Sequence, residues 1–159
     1  MHETVRRVSE ALRAAGVEPD IVELPAAVPT AATAAAQVGT EVGAIANSLL
    51  FSVDGQPLLL VTSGAHRVDT RKVAALLGVG RKKIRRADPD FVLEKTGQRV
   101  GGVAPTGHPA PIPTYVDVWL DRYPHVWAGA GQAEALFRTS FAALLKITGG
   151  QAADIGEDA

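Results

Sequence analysis

Apolar positions in this chain recur at two periods, and the switches between them predict an alternation of helices and strands. Val5, Val8, Leu12 and Ala15 fall at helical spacing, and Gly16 ends that first helix. Ile21 to Leu24 reads as a short strand closed by Pro25. Thr30 can cap an alanine-rich helix that runs to Gly39, with Glu41 to Ala46 as one further turn. Ser48 to Val53 and Pro57 to Thr62 are strands around Asp54-Gly55, a two-residue hairpin signal. Asp69 caps a helix through Leu77, Ile84 sits in a short basic strand, and Asp88-Pro89 opens a helix with proline at its first position. Thr114 to Trp119 and Val126 to Ala128 read as strands. Ser140 caps a last helix that stops at Gly149-Gly150, and the small, acidic tail after Gln151 is expected to fray. Hairpins mixed with helices argue for an α+β fold with a mixed, largely antiparallel sheet. No repeat or linker divides the chain, so one domain over 1–159 is expected, with its core at 3–150 and an acidic tail at 151–159.

Composition changes this picture little. The 159 residues are 47% hydrophobic, enough to fill one core. No apolar run reaches the ~18 residues of a membrane span, and Met1-His2-Glu3 opens without the basic and apolar regions of a signal peptide. The absence of cysteine removes disulfides, thiolate nucleophiles and cysteine zinc sites. A cytoplasmic protein is the expectation.

Charge is more telling. The chain carries a net −1, yet Arg67, Arg71, Lys72, Arg81, Lys82, Lys83, Arg85 and Arg86 face only Asp69 in the same window. That window carries +7 and the remainder −8. Such a patch can hold a polyanion on a slightly acidic protein. A solvated helix face with a lysine-protected edge strand is the plainer reading, but five basic residues in 81–86 exceed what edge protection needs.

Catalytic side chains are hard to find. His2, His66, His108 and His125 show no HxH or HExxH spacing, which leaves no metal site to expect. Ser63-Gly64 follows a strand without the Gly-x-Ser-x-Gly elbow of a serine hydrolase. Asp117 alternates with Tyr115 and Trp119, either as an edge residue in water or as an anchor for buried amides. The densest chemistry lies in Gly101-Gly102-Val103-Ala104-Pro105-Thr106-Gly107-His108, whose glycines and proline suit a backbone presented to a ligand. It lacks the spacing of nucleotide-phosphate loops, and a tight connection between strands would need similar residues. His108 leaves that loop either as a functional imidazole or as a hydrogen-bonding partner of its backbone.

The succession IANSLLF, LLLVTSG, basic helix, GGVAPTGH, PTYVDVWL and HVWAGAG, over 3–150, resembles the YbaK/EbsC family of trans-editing aminoacyl-tRNA deacylases. These are related to the editing domain inserted in bacterial prolyl-tRNA synthetases. The most specific element is Gly-x-x-x-Pro, here Gly101 to Pro105, followed by Gly107-His108. The resemblance implies a single α+β domain, with a curved, barrel-like mixed sheet surrounded by helices. It also implies hydrolysis of the 3′ ester of mischarged tRNA without cofactor or side-chain nucleophile. By the same resemblance, Asn47, Gly101 and Gly102 carry the chemistry. Thr30, Ser63, Gly64, Val103, Pro105, Gly107, His108 and Asp117 contact the aminoacyl end, and the eight basic residues hold the tRNA. Asn47 stands where the family places a lysine, so it offers hydrogen bonds but no charge. Mischarged tRNA, and with it an aminoacyl-tRNA synthetase, are the implied partners, with no membrane among them. A family member that binds aminoacyl-tRNA or a small amino-acid-like ligand without turnover is the alternative.

Overall fold

A computed structural model describes residues 2–158. Its elements follow the periodicity closely: α1 (Glu3–Ala14), β1 (Ile21–Glu23), α2 (Ala31–Val38), β2 (Ile45–Val53), β3 (Gln56–Ser63), α3 (Thr70–Leu77) and β4 (Ile84–Arg86). Then come α4 (Pro89–Thr96), β5 (Thr114–Asp117), β6 (Val126–Gly129), β7 (Ala135–Thr139), α5 (Phe141–Thr148) and β8 (Gln151–Ala153). Local chemistry explains the boundaries. Thr30 and Thr33 form a reciprocal capping box on α2. Asp69, Asp88 and Ser140 each accept a backbone N–H at a helix start, and Gly39, Gly78, Gly97 and Gly149 end four helices in the left-handed region. Asp54 and Gly55, at φ 50° and 81°, make the tight hairpin between β2 and β3.

The strands join one mixed sheet in the order β1-β7-β6-β2-β3-β5-β8, with β4 added to β2. Four pairings are antiparallel and three parallel, namely β2 with β6, β3 with β5 and β5 with β8. The α+β class and the single domain hold, although the path of pairing does not close into a barrel. The main core joins α1 (Val5, Val8, Leu12) and α5 (Leu144, Ile147) to Leu59, Val61, Val116 and Phe137 of the sheet. A second cluster packs α3 over Phe51, Leu58, Leu60 and Ile84, and a third packs α2 over Ile45 and Leu136.

β2 pairs with β3 along its whole length, but its other edge meets β6 only at Ile45 and Ala46 and β4 only from Phe51 to Val53. The sheet therefore forks along residues 47–49, closing again where Ala87 N–H donates to Leu50 O at 3.1 Å. Gly64 N–H donates to Ile45 O at 2.8 Å, so odd-numbered residues of β2 turn their backbone groups to β3. Even-numbered ones turn theirs to the other edge, where those of Ser48 fall in the fork.

Four expectations need correction. β2 begins at Ile45, so the extra turn is confined to a 3₁₀ segment at Val42–Ala44. β5 ends at Asp117, whose carboxylate caps a 3₁₀ turn over Val118–Arg122, so Trp119 lies off the strand. β7 was not anticipated. The tail does not fray: β8 pairs with β5, Ile155 is fully buried, and Asp69 N–H donates to Ile155 O at 2.8 Å. Lys72 Nζ holds the same tail through Gly156 O at 2.7 Å, Asp158 at 2.8 Å and Asp154 at 3.0 Å.

Candidate functional site

The fork in the sheet is the mouth of a cavity of ≈ 410 Å³. Its interior is apolar, built by Leu50, Val92, Val103, Ala135 and Leu136, and its rim carries Thr30, Asn47, Ser48, Gly101 and Arg86. Asn47 is half-buried on β2, with Thr62 opposite it on β3. Beside it, the Ser48 Oγ is buried without a hydrogen-bond partner among the described residues. Burying a hydroxyl in this way costs free energy; the oxygen is closed off from the cavity, which Ser48 meets through the backbone groups it turns into the fork.

The glycine loop closes the opposite wall, and its shape is over-determined. Gly101 has φ +99°, a conformation side chains resist. Gly102 accepts from Gly131 N–H at 2.9 Å. A Cβ on Gly102 would come within 2.6–2.7 Å of the Gln132 and Ala133 backbone. Gln98, 2% exposed, staples the next stretch: its Oε1 accepts Ala104 N–H at 2.7 Å and its Nε2 donates to Thr106 O at 3.1 Å. His108 Nε2 donates to Ala104 O at 2.9 Å. Burial holds the His108 pKa below its ordinary value, outweighing the Ala104 carbonyl, so the ring is neutral at pH 7 and serves the loop backbone.

The structure thus brings Thr30, Asn47, Gly101 and Val103 to one cavity, with Gly102 directly behind the wall. The other residues expected at the aminoacyl end do not line this cavity, for visible reasons. Ser63 is fully buried, and its Oγ donates to Gly43 O at 2.6 Å. Gly64 leaves no room for a Cβ against Val42 O and Ala31. Pro105 is buried, and Gly107, at φ +82°, packs on Val8. Asp117, expected at the aminoacyl end, belongs to a separate polar cluster. It accepts Ser63 N–H at 2.9 Å, Trp119 N–H at 3.0 Å and a short bond from His66 at 2.5 Å. That cluster lines a second cleft with Arg122 and the tail, so Asp117 is the anchor for buried amides that its sequence setting allowed.

The basic window divides as well. Lys72 is committed to the tail, Lys83 meets Asp54 at 3.2 Å, and Arg81 Nε donates to Thr70 at 3.2 Å. Arg81, Lys82 and Lys83 surround a shallow depression beside β4. Arg67, Arg71 and Arg85 are exposed. Arg86 alone of the eight reaches the cavity rim. Sequence reasoning missed Ser48 and Gln98: neither a lone serine in a strand nor a lone glutamine before a loop carries a motif.

The sequence profile of the aminoacyl-tRNA editing domain matches residues 25–147. The chain belongs to the aminoacyl-tRNA editing domain family. The resemblance read from the glycine loop is thereby borne out. An uncharacterised Bacillus subtilis protein, YwhH, is 35% identical over 115 residues, covering 72% of this chain and 71% of that one. The proline–tRNA ligase of Bacillus pumilus is 33% identical over 87 residues, which span 55% of this chain but 15% of the ligase. Among solved structures, one described as a candidate trans-editing enzyme for prolyl-tRNA synthetase is 43% identical, with TM-score 0.92 and 99% coverage of both chains. Another, from work on epitope grafting onto scaffold proteins, is 41% identical with TM-score 0.91 over the full length of both.

Proposed function

We propose that this editing-domain protein acts in trans, in the cytoplasm, as a hydrolase that removes a mischarged amino acid from the 3′ end of tRNA. The observation that carries the reading is the meeting of Asn47, at the position of the family lysine, and the Gly101 loop across one apolar cavity. An aminoacyl ester is already activated, so holding it beside oriented backbone donors and a water supplies much of the catalysis. In this reading the aminoacyl group enters between Leu50, Val92 and Val103. The Ser48 backbone groups, turned into the fork, and the Asn47 amide hold its polar atoms, and the Gly101 N–H faces the oxyanion, while the Gly102 N–H, donated to Arg99 O at 3.1 Å, fixes the turn. The exposed part of the basic window (Arg67, Arg71, Lys82, Arg85) meets the acceptor-stem phosphates, whose recognition rests on charge and shape. A prolyl-tRNA synthetase is the synthetase whose errors it would correct, given the relatives above.

Asn47 itself favours a second reading, in which the protein retains aminoacyl-tRNA without hydrolysing it, because no cation replaces the lysine at that position. Ester loss from a panel of mischarged tRNAs separates the two. Release from at least one tRNA is the expected result. Binding of charged tRNA with no release across the panel would leave the second reading.

A further inference from the structure

We infer that Arg86 is the phosphate-binding group of the cavity, gripping the backbone of the terminal nucleotides and supplying, from a neighbouring strand, the cation that Asn47 lacks. The inference rests on the reading that a tRNA 3′ end occupies this cavity. Among the described residues, Arg86 is the one charged residue that lines it. Alternation along β2 puts Asn47, Leu49 and Phe51 on one face, and the antiparallel register sets Arg86 opposite Phe51 on that same face. At ~3.3 Å per residue, Arg86 then stands about 13 Å from Asn47 along the rim, beyond the reacting ester but within reach of the phosphate behind it. The Phe51 ring lies beneath the guanidinium, 5.8 Å from its carbon to the ring centre. That contact directs the fork without neutralising it. Lys72 and Lys83 differ, because their charges are already paired with Asp158 and Asp54. A planar fork suits a phosphodiester, to which it can donate two parallel hydrogen bonds.

The test is titration of the whole protein with the trinucleotide CCA and, separately, with adenosine, which has no phosphate. Arg86→Met keeps the aliphatic stem over Phe51. It should weaken CCA binding about tenfold, the size of one charge-assisted hydrogen bond, and flatten its salt dependence by a slope of about 0.7. Adenosine binding should not change, and Arg86→Lys should recover part of the CCA affinity. If wild type binds CCA and Arg86→Met binds it equally well, the inference is overturned while the proposed function stands. An equal loss of adenosine and CCA would also overturn it, since that marks a distorted cavity. Should wild type bind no CCA at all, inference and proposed function fall together.

Discussion

Gln98→Leu isolates how much the glycine loop depends on a residue outside its motif. Leucine matches glutamine in size and suits a site 2% exposed, so packing is conserved while two hydrogen bonds disappear. The two losses are unequal. Ala104 is fully buried, and its N–H would be left without the Gln98 Oε1 acceptor, at a cost of about 1–3 kcal/mol. Thr106 is half-buried, so its carbonyl can recover a water and lose little. A net cost of about 2 kcal/mol would lower Tm by about 4–8 °C for a chain of this size, without unfolding it at 25 °C. Function should suffer more than stability, because the Ala104 peptide continues the wall formed by Gly101 to Val103. A displacement of about 1 Å in positioning groups can cost about a hundredfold in rate. Thermal unfolding followed by circular dichroism gives the first quantity, and ester release from a mischarged tRNA gives the second. A Tm and a rate both equal to wild type would refute the reasoning, and would assign the loop's shape to the close packing at Gly102 alone.

The adjacent glycines should fail for different reasons. Gly102→Ala forces a Cβ within 2.6–2.7 Å of fixed backbone and should cost about 1–3 kcal/mol in denaturant unfolding. Gly101→Ala meets no atom within 4 Å but must hold φ +99°, and should cost a similar amount through strain. Wild-type stability in either would contradict the loop geometry. The tail should be pH-sensitive at both extremes. Hydrogen bonds that Lys72 donates to Asp158 and then to Asp154 raise the Lys72 pKa above 10.5, and the same bond lowers that of Asp158 below 3.8. Their contribution is therefore complete between those values. It is lost as pH falls below 3.8 through the folded value of Asp158, or rises above 10.5 through that of Lys72. At pH 7, Lys72→Met should speed amide hydrogen exchange in residues 153–158 and leave β2 and β3 protected, whereas unchanged exchange would show that Ile155 burial suffices.

Most elements were legible in the sequence because their ends are written in local chemistry. Thr30, Asp69, Asp88 and Ser140 cap helices that stop at glycines, and Asp54-Gly55 fixes the central hairpin. What escaped depends on partners distant in sequence. β8 is three residues long and exists because β5 offers an edge and Ile155 a buried anchor. β7 is recognised only once β1 and β6 flank it. The site divides in the same way. The Gly101 loop announced itself by composition, and Asn47 by its resemblance to a family position. Which polar neighbours of Asn47 reach the cavity is decided by their partners: Ser63 pairs with Ala46, next to Asn47, yet its N–H and hydroxyl are spent on Asp117 and Gly43. The basic window was visible as charge, but the Lys72 and Lys83 ion pairs with Asp158 and Asp54 span 86 and 29 residues. No local pattern reveals such neutralisation.

Charge at position 47 tests the central claim most directly. Rates of ester release should be compared for wild type, Asn47→Ala and Asn47→Lys on the same panel of mischarged tRNAs. If this cavity is the hydrolytic site, Asn47→Ala loses activity. Asn47→Lys gains it on at least one tRNA, by up to the ~3 kcal/mol, or roughly a hundredfold, that one oriented donor contributes at comparable sites. Three equal rates on every tRNA would contradict the account, because hydrolysis would then occur away from the fork in the sheet.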